Sequence, residues 1–124
     1  MTDKIDEYNE RRALERSRKI AIKKEMKSST NLARKKIKEE GRCRNPRCTT
    51  GMKPEWHHAV PRSKFSQRDK TQNSVDNAIP VCHVCHMEWH QNITVLRRSD
   101  LQASEISFIL RAIGEHWIDR HYPE

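Results

Sequence analysis

The chain has no run of about 18 apolar residues, the least a membrane-crossing helix needs, so no spanning segment is expected. Its opening stretch, MTDKIDEYNERR, lacks the apolar region of a secretory signal. Core material is scarce as well: 34% of the 124 residues are hydrophobic and 34% are charged. That balance excludes a full-length, well-buried core, so part of the chain must be solvated or must lie on a partner. The length fits one domain with, at most, an appendage. No internal repeat is present. These absences predict a cytoplasmic protein with no membrane partner, a setting where four cysteines more often bind metal than form disulfides.

Charge is unevenly placed. Residues 1–47 hold 16 Lys/Arg against 8 Asp/Glu, and residues 48–124 hold 9 against 9. The whole excess of +8 therefore precedes Cys48. A basic arm on a neutral body suggests a polyanionic partner, because Lys and Arg neutralise phosphates and release counterions. The plainer reading is a solvated helix.

Residues 1–27 are rich in helix formers. Their apolar members Ile5, Tyr8, Leu14, Ile20, Ile22 and Met26 keep poor time with a helical period, which predicts a helix docked by few contacts or ordered by its partner. Ser28-Ser29-Thr30-Asn31 predicts a break with N-cap chemistry. A second helix is expected from about Asn31 to Glu40, stopped by Gly41. Residues 42–54 read as loop, 55–60 as a short strand ending at Pro61, 62–75 as polar loop, 76–81 as a second strand, and Cys82 onward as helix. In the tail Ile106, Ile109, Leu110, Ile113 and Trp117 predict one amphipathic helix, capped by Ser104 or Ser99, with Trp117 against the body. His116 and His121 read as surface residues. The expected organisation is a basic helical arm over 1–41, a metal module over 42–95 and a C-terminal helix over 96–124.

Cys43 and Cys48 are separated by four residues, Cys82 and Cys85 by two. Two such pairs can close a tetrahedral four-cysteine shell around structural Zn2+. Arg42, Arg44 and Arg47 would help keep the thiolates deprotonated. A structural zinc contributes roughly 10–16 kcal/mol of apparent binding energy in small domains, which would offset the thin core.

The helix after Cys82 reads CHVCHMEWH, and His86 and His90 stand at i, i+4, the spacing that turns two imidazoles toward one ion. His83, at the frayed start, reads as a surface or supporting residue. Upstream, WHHAVPR places His57 beside His58. Neighbours on a strand point to opposite faces, so if one binds metal the other is left free. A free imidazole, with an ordinary pKa of about 6.5, is suited to taking a proton from water. A metal ion is suited to stabilising a leaving oxygen.

WHHAVPR followed by DNAIPVCHVCHMEWH resembles the HNH endonucleases, the ββα-metal or His-Me finger, in the subgroup that carries a zinc knuckle. The resemblance covers about residues 43–90. It implies a small α+β fold in which a ββα finger is stapled by the four-cysteine zinc site, with basic N-terminal helices and a C-terminal amphipathic helix outside it. It also implies that His58 is the general base, that His57 and His86 bind a catalytic divalent ion, and that His90 completes a three-histidine set. Asn77 would brace the strands by bonding to backbone near the histidine pair. The substrate would be DNA, cut at a phosphodiester bond, with Arg62 and Lys64 near flanking phosphates, in bacterial or phage-infected cells. Many members carry aspartate where this chain has His57. Three imidazoles suit Zn2+, Ni2+ or Mn2+ better than Mg2+, which DNA phosphate would help to hold. The spacing of the first cysteine pair also departs from the common two. The rival expectation is a non-catalytic zinc-knuckle module that binds nucleic acid; a third is the same site acting on RNA. Oligomeric state, sequence specificity and the number of strands cut are not legible.

Overall fold

A computed structural model describes residues 4–124; the first three residues of the expected arm lie outside the described residues. The arm is one helix, α1, Lys4–Glu40, rather than two. Ser28–Asn31 do not break it. Each of these weak helix formers costs at most about 0.7 kcal/mol relative to alanine, and an established helix extends through such a turn because propagation is cooperative. The turn also lies in the docked half, with Ser29 and Thr30 half-buried between Met26 and the buried Ala33. Ala33 and Ile37 pack against Ala78 and Trp56. Residues 4–21, in contrast, are exposed on every side. The helix stops where expected: Gly41 takes φ 65° and its N–H bonds to the Ile37 carbonyl at 3.0 Å.

The domain is a small α+β unit around a two-stranded antiparallel sheet. β1, Pro54–His58, pairs with β2, Ala78–Cys82, so that His57 faces Ile79 and His58 faces Ala78. β1 ends two residues short of the expected strand. Beyond it the Asn77 side chain replaces backbone pairing, as its Oδ1 accepts from the Val60 N–H at 2.7 Å. The expected polar loop is tightened by 3-10 turns at Arg62–Lys64 and Lys70–Asn73, and a third at Val75–Asn77 leads into β2. β2 is buried throughout and runs directly into α2, His83–His90.

The tail forms two helices, not one: α3, Ala103–Ala112, and α4, Glu115–His121. Gly114, at φ 102°, separates them. The turn rotates the apolar stripe. Leu110 is left 40% exposed, while Phe108, Ile109, Ile118 and Tyr122 enter the core with Val60, Ile79, Val81 and Leu96. The cap of α3 is a Gln102–Glu105 box rather than Ser104 or Ser99. Trp117 does pack on this core, under the Lys64 ammonium. His121 is half-buried and tilted against Trp117, with ring centroids 3.8 Å apart, so only His116 is a plain surface residue.

Glu105 locks the tail to the arm. Its side chain is fully buried and accepts from Lys36 at 2.7 Å, Arg44 at 2.6 Å and the Gln102 N–H at 2.6 Å. Burial would raise its pKa, but the bonds from Arg44 and Lys36 outweigh this and hold it below the ordinary glutamate value.

Candidate metal centre and histidine face

The loop after α1 meets the end of β2 through one backbone bond, Arg44 N–H to the Pro80 carbonyl at 2.7 Å. That contact brings Cys43 and Cys48 to Cys82 and Cys85. The four sulfurs lie within 4.8 Å of one another, a cluster able to coordinate a metal ion. Arg44 and Arg47 do not serve the thiolates as expected. Arg44 is held by Glu105 and Glu40, and Arg47 by the Val95 carbonyl and Asp100. Neutral donors take that place. Asn45 Nδ2 donates to Cys85 Sγ at 3.4 Å, and the Thr50 hydroxyl lies 3.3 Å from Cys48 Sγ and 3.5 Å from Cys82 Sγ. Thr50 lowers the Cys48 pKa to about 6, whereas burial raises Cys43 and Cys85. Protein groups alone therefore favour one thiolate and oppose two others. A divalent ion would ionise all four, and four soft sulfurs suit Zn2+. Among the described residues no other group of three or more potential ligands is gathered this tightly.

The histidines form a looser set across the helix. His57 is 1% exposed. Its ring lies edge-on to His86, with centroids 5.3 Å apart, and to Trp89 at 4.6 Å. Tyr122 fixes its tautomer. The Tyr122 hydroxyl donates to the Ala59 carbonyl at 2.8 Å, so it must accept from His57 Nε2–H at 2.9 Å. The lone pair of His57 then sits on Nδ1, which is buried and has no hydrogen-bond partner among the described residues. Burial, with His86, His58 and His90 around it, holds the pKa of His57 well below its ordinary value. The ring is a neutral donor with an orphaned nitrogen, which is the form a metal takes up.

His86 and His90, one turn apart on α2, bring their Nε2 atoms to 3.1 Å. Glu55 orients the first of them. Its carboxylate lies 3.4 Å from His86 Nδ1, which therefore carries the proton and leaves the lone pair on Nε2. The other Glu55 oxygen lies 3.1 Å from His83 Nδ1, so His83 joins the carboxylate and not the histidine pair.

His58 points the other way, as strand alternation requires. It stacks on Trp56, with ring centroids 4.5 Å apart at 10°. Its Nε2 lies 3.4 Å from Asn73 Oδ1, an acceptor, so the free lone pair is on Nδ1. Burial lowers its pKa, and the nearby Arg62 and His86 add to this against the Asn73 bond. The ring is neutral at pH 7. Asn77 spans the strand ends: besides accepting from Val60 it donates to the Val60 carbonyl at 3.0 Å and the Gln72 carbonyl at 2.9 Å. Arg62 and Lys64 lie on the turn just past β1, where Lys64 is exposed and Arg62 largely so.

Compared with known proteins, the chain matches no family model, no curated protein and no solved structure. Several of the groups that shape the site escaped sequence reasoning. Tyr122 was not singled out; the one available signal, its place four past Ile118, marks core but not a hydroxyl bound to His57. Glu55, Asn73, Asn45 and Thr50 carry no spacing signal, since their partners lie across the fold.

Proposed function

We propose that the chain is a zinc-stapled nucleic-acid-binding module whose histidine face makes it an HNH-type endonuclease, cutting DNA phosphodiester bonds. One observation carries this reading: His86 Nε2 and His90 Nε2 lie 3.1 Å apart, beside the ring of His57, whose buried Nδ1 has no hydrogen-bond partner among the described residues. Three imidazoles suit a divalent transition ion. His57, His86 and His90 would hold it, and bound there it would stabilise the charge on the departing 3′ oxygen.

The remaining steps belong to side chains of this protein. His58 Nδ1 accepts a proton from water as the water oxygen bonds to phosphorus and the bond to the 3′ oxygen breaks. The departing oxygen takes its proton from solvent. Asn73 and Trp56 hold the His58 ring in place, and Asn77 fixes the chain just beyond it. Arg62 and Lys64 would contact flanking phosphates.

The test is a supercoiled plasmid incubated with zinc-loaded protein and a panel of added divalent ions. Nicking that requires the added ion, and that falls roughly 10²–10⁴-fold in His58→Ala with melting unchanged, supports the assignment. Full activity in His58→Ala would overturn it. The second reading, a non-catalytic module, draws on the four-cysteine cluster, the tighter of the two ligand groups. Binding without cutting under every ion would select it, and cutting confined to RNA would reassign the substrate.

A further inference from the structure

We infer that one flank of α1 is a phosphate rail for duplex DNA, leading into the His58 face. The inference rests on the proposed function for what lies at its end. Six basic residues of α1 fall into three pairs: Arg12 with Arg16, Lys23 with Lys27, and Arg34 with Lys38. Members of each pair are four residues apart, and the pairs recur every eleven. An 11-residue repeat is about three helical turns and keeps to one side of a helix. At about 100° per residue the six occupy a stripe about 80° wide. All seven acidic residues of α1 lie outside it, by about 40° or more. The pattern acquires meaning only because α1 is unbroken. A kink at Ser28–Asn31 would throw the third pair out of line.

Among the described residues, no ion pair engages the stripe. All six residues are exposed. The ion pairs of α1 use Lys35, Lys36, Glu25, Glu39 and Glu40 instead, and Arg12 lies over the Tyr8 ring. The acidic flank meets the 3-10 turns and α3, whereas the basic flank opens toward β1. Arg34 and Lys38 line a hollow with Lys53, Pro54 and Trp56, and Trp56 stacks on His58.

The length of the stripe fits one turn of B-form DNA. Eleven residues rise about 16.5 Å, so the first and third pairs are about 33 Å apart. A line along a duplex crosses a phosphate strand twice per turn of about 34 Å, at alternately shorter and longer steps because the two grooves differ in width. The first and third pairs can thus meet the same strand one turn apart, with the middle pair facing the complementary strand between them.

The test measures binding of the full zinc-loaded chain to a duplex of three helical turns, across a salt series with no other divalent ion, so that nothing is cut. Arg16→Gln, Lys27→Gln and Arg34→Gln together remove one charge from each pair. Arg11→Gln, Arg18→Gln and Lys35→Gln together remove the same charge off the stripe. The first triple is expected to flatten the slope of log K against log salt by about 2.7 and weaken binding on the order of 10²-fold at 0.1 M salt. The second should move the slope by less than about 1. Two alanines inserted between Lys19 and Ile20, in the fully exposed half, swing the first pair about 200° round at constant charge. They should flatten the slope by about 1.8. Equal effects of the two triples, or an insertion without effect, would overturn the rail, and tighter stripe-dependent binding to an RNA duplex would overturn its partner. A stripe-dependent slope in a protein that cuts nothing keeps the rail and removes the nuclease.

Discussion

Cys85 and His86 are neighbours on α2, yet they join clusters built on different terms. The four sulfurs converge from two segments joined nearby by one backbone bond, and burial opposes ionising two of them. That arrangement is one a metal ion could complete. Across the helix His57 is held by Tyr122, His86 by Glu55 and His58 by Asn73. Those rings are oriented by protein partners. The first cluster is suited to carrying folding energy, and the second to a ligand that comes and goes. Glu105 gives a third term of comparison, a junction of α1 and α3 that needs no ion at all.

The contrast breaks most severely at Cys85. Cys85→Ser is expected to lose stoichiometric zinc and cooperative melting together, because an apparent binding energy on the order of 10 kcal/mol goes with the site. Metal analysis and calorimetry check it, and an unchanged melting curve would show that the sulfurs are not the staple.

Glu105→Gln should cost about 3 kcal/mol, since it leaves Lys36 and Arg44 facing a buried neutral group. The pH dependence separates this junction from the sulfur site. The folded pKa of Glu105 lies below the unfolded one, so its stabilisation is complete above the ordinary glutamate range and is lost as pH falls through the lowered value. Denaturant midpoints should fall on acidification below about pH 4.3 more steeply in the parent than in Glu105→Gln. Parallel curves would assign the acid sensitivity elsewhere.

The smallest effect is expected at Glu55. Glu55→Gln should weaken divalent-ion binding at the histidine face roughly 10-fold, the usual scale for an orienting partner, while zinc retention and melting hold. Titration calorimetry on zinc-loaded protein reads this directly. A loss of zinc in its place would mean that the two clusters are not separate.

Legibility followed range along the chain. The knuckle spacings, the stop at Gly41 and the strand-to-helix junction at Cys82 are local signals, and each is present in the fold. Ser28–Asn31 misled because cap chemistry acts only when the preceding chain leaves the helix, and here the packing of Met26, Ala33 and Ile37 keeps it in. Gly114 was passed over in the tail because the apolar stripe reads continuously across it. The bonds of Glu105 and Tyr122 join residues more than 60 positions apart, and no periodicity records such partners.

The sequence alone determined that four sulfurs would be offered in two knuckles, that the positive excess would precede them, and that two imidazoles would share one side of the helix after Cys82. These depend on residue type and on spacings of a turn or less, which backbone geometry imposes anywhere. Tertiary structure decided which nitrogen of His57 is left free, which carboxylate turns His86, and that three basic pairs on α1 stand in one line. Such outcomes depend on which distant surfaces are buried together, and burial is a property of the packed chain rather than of any segment of it.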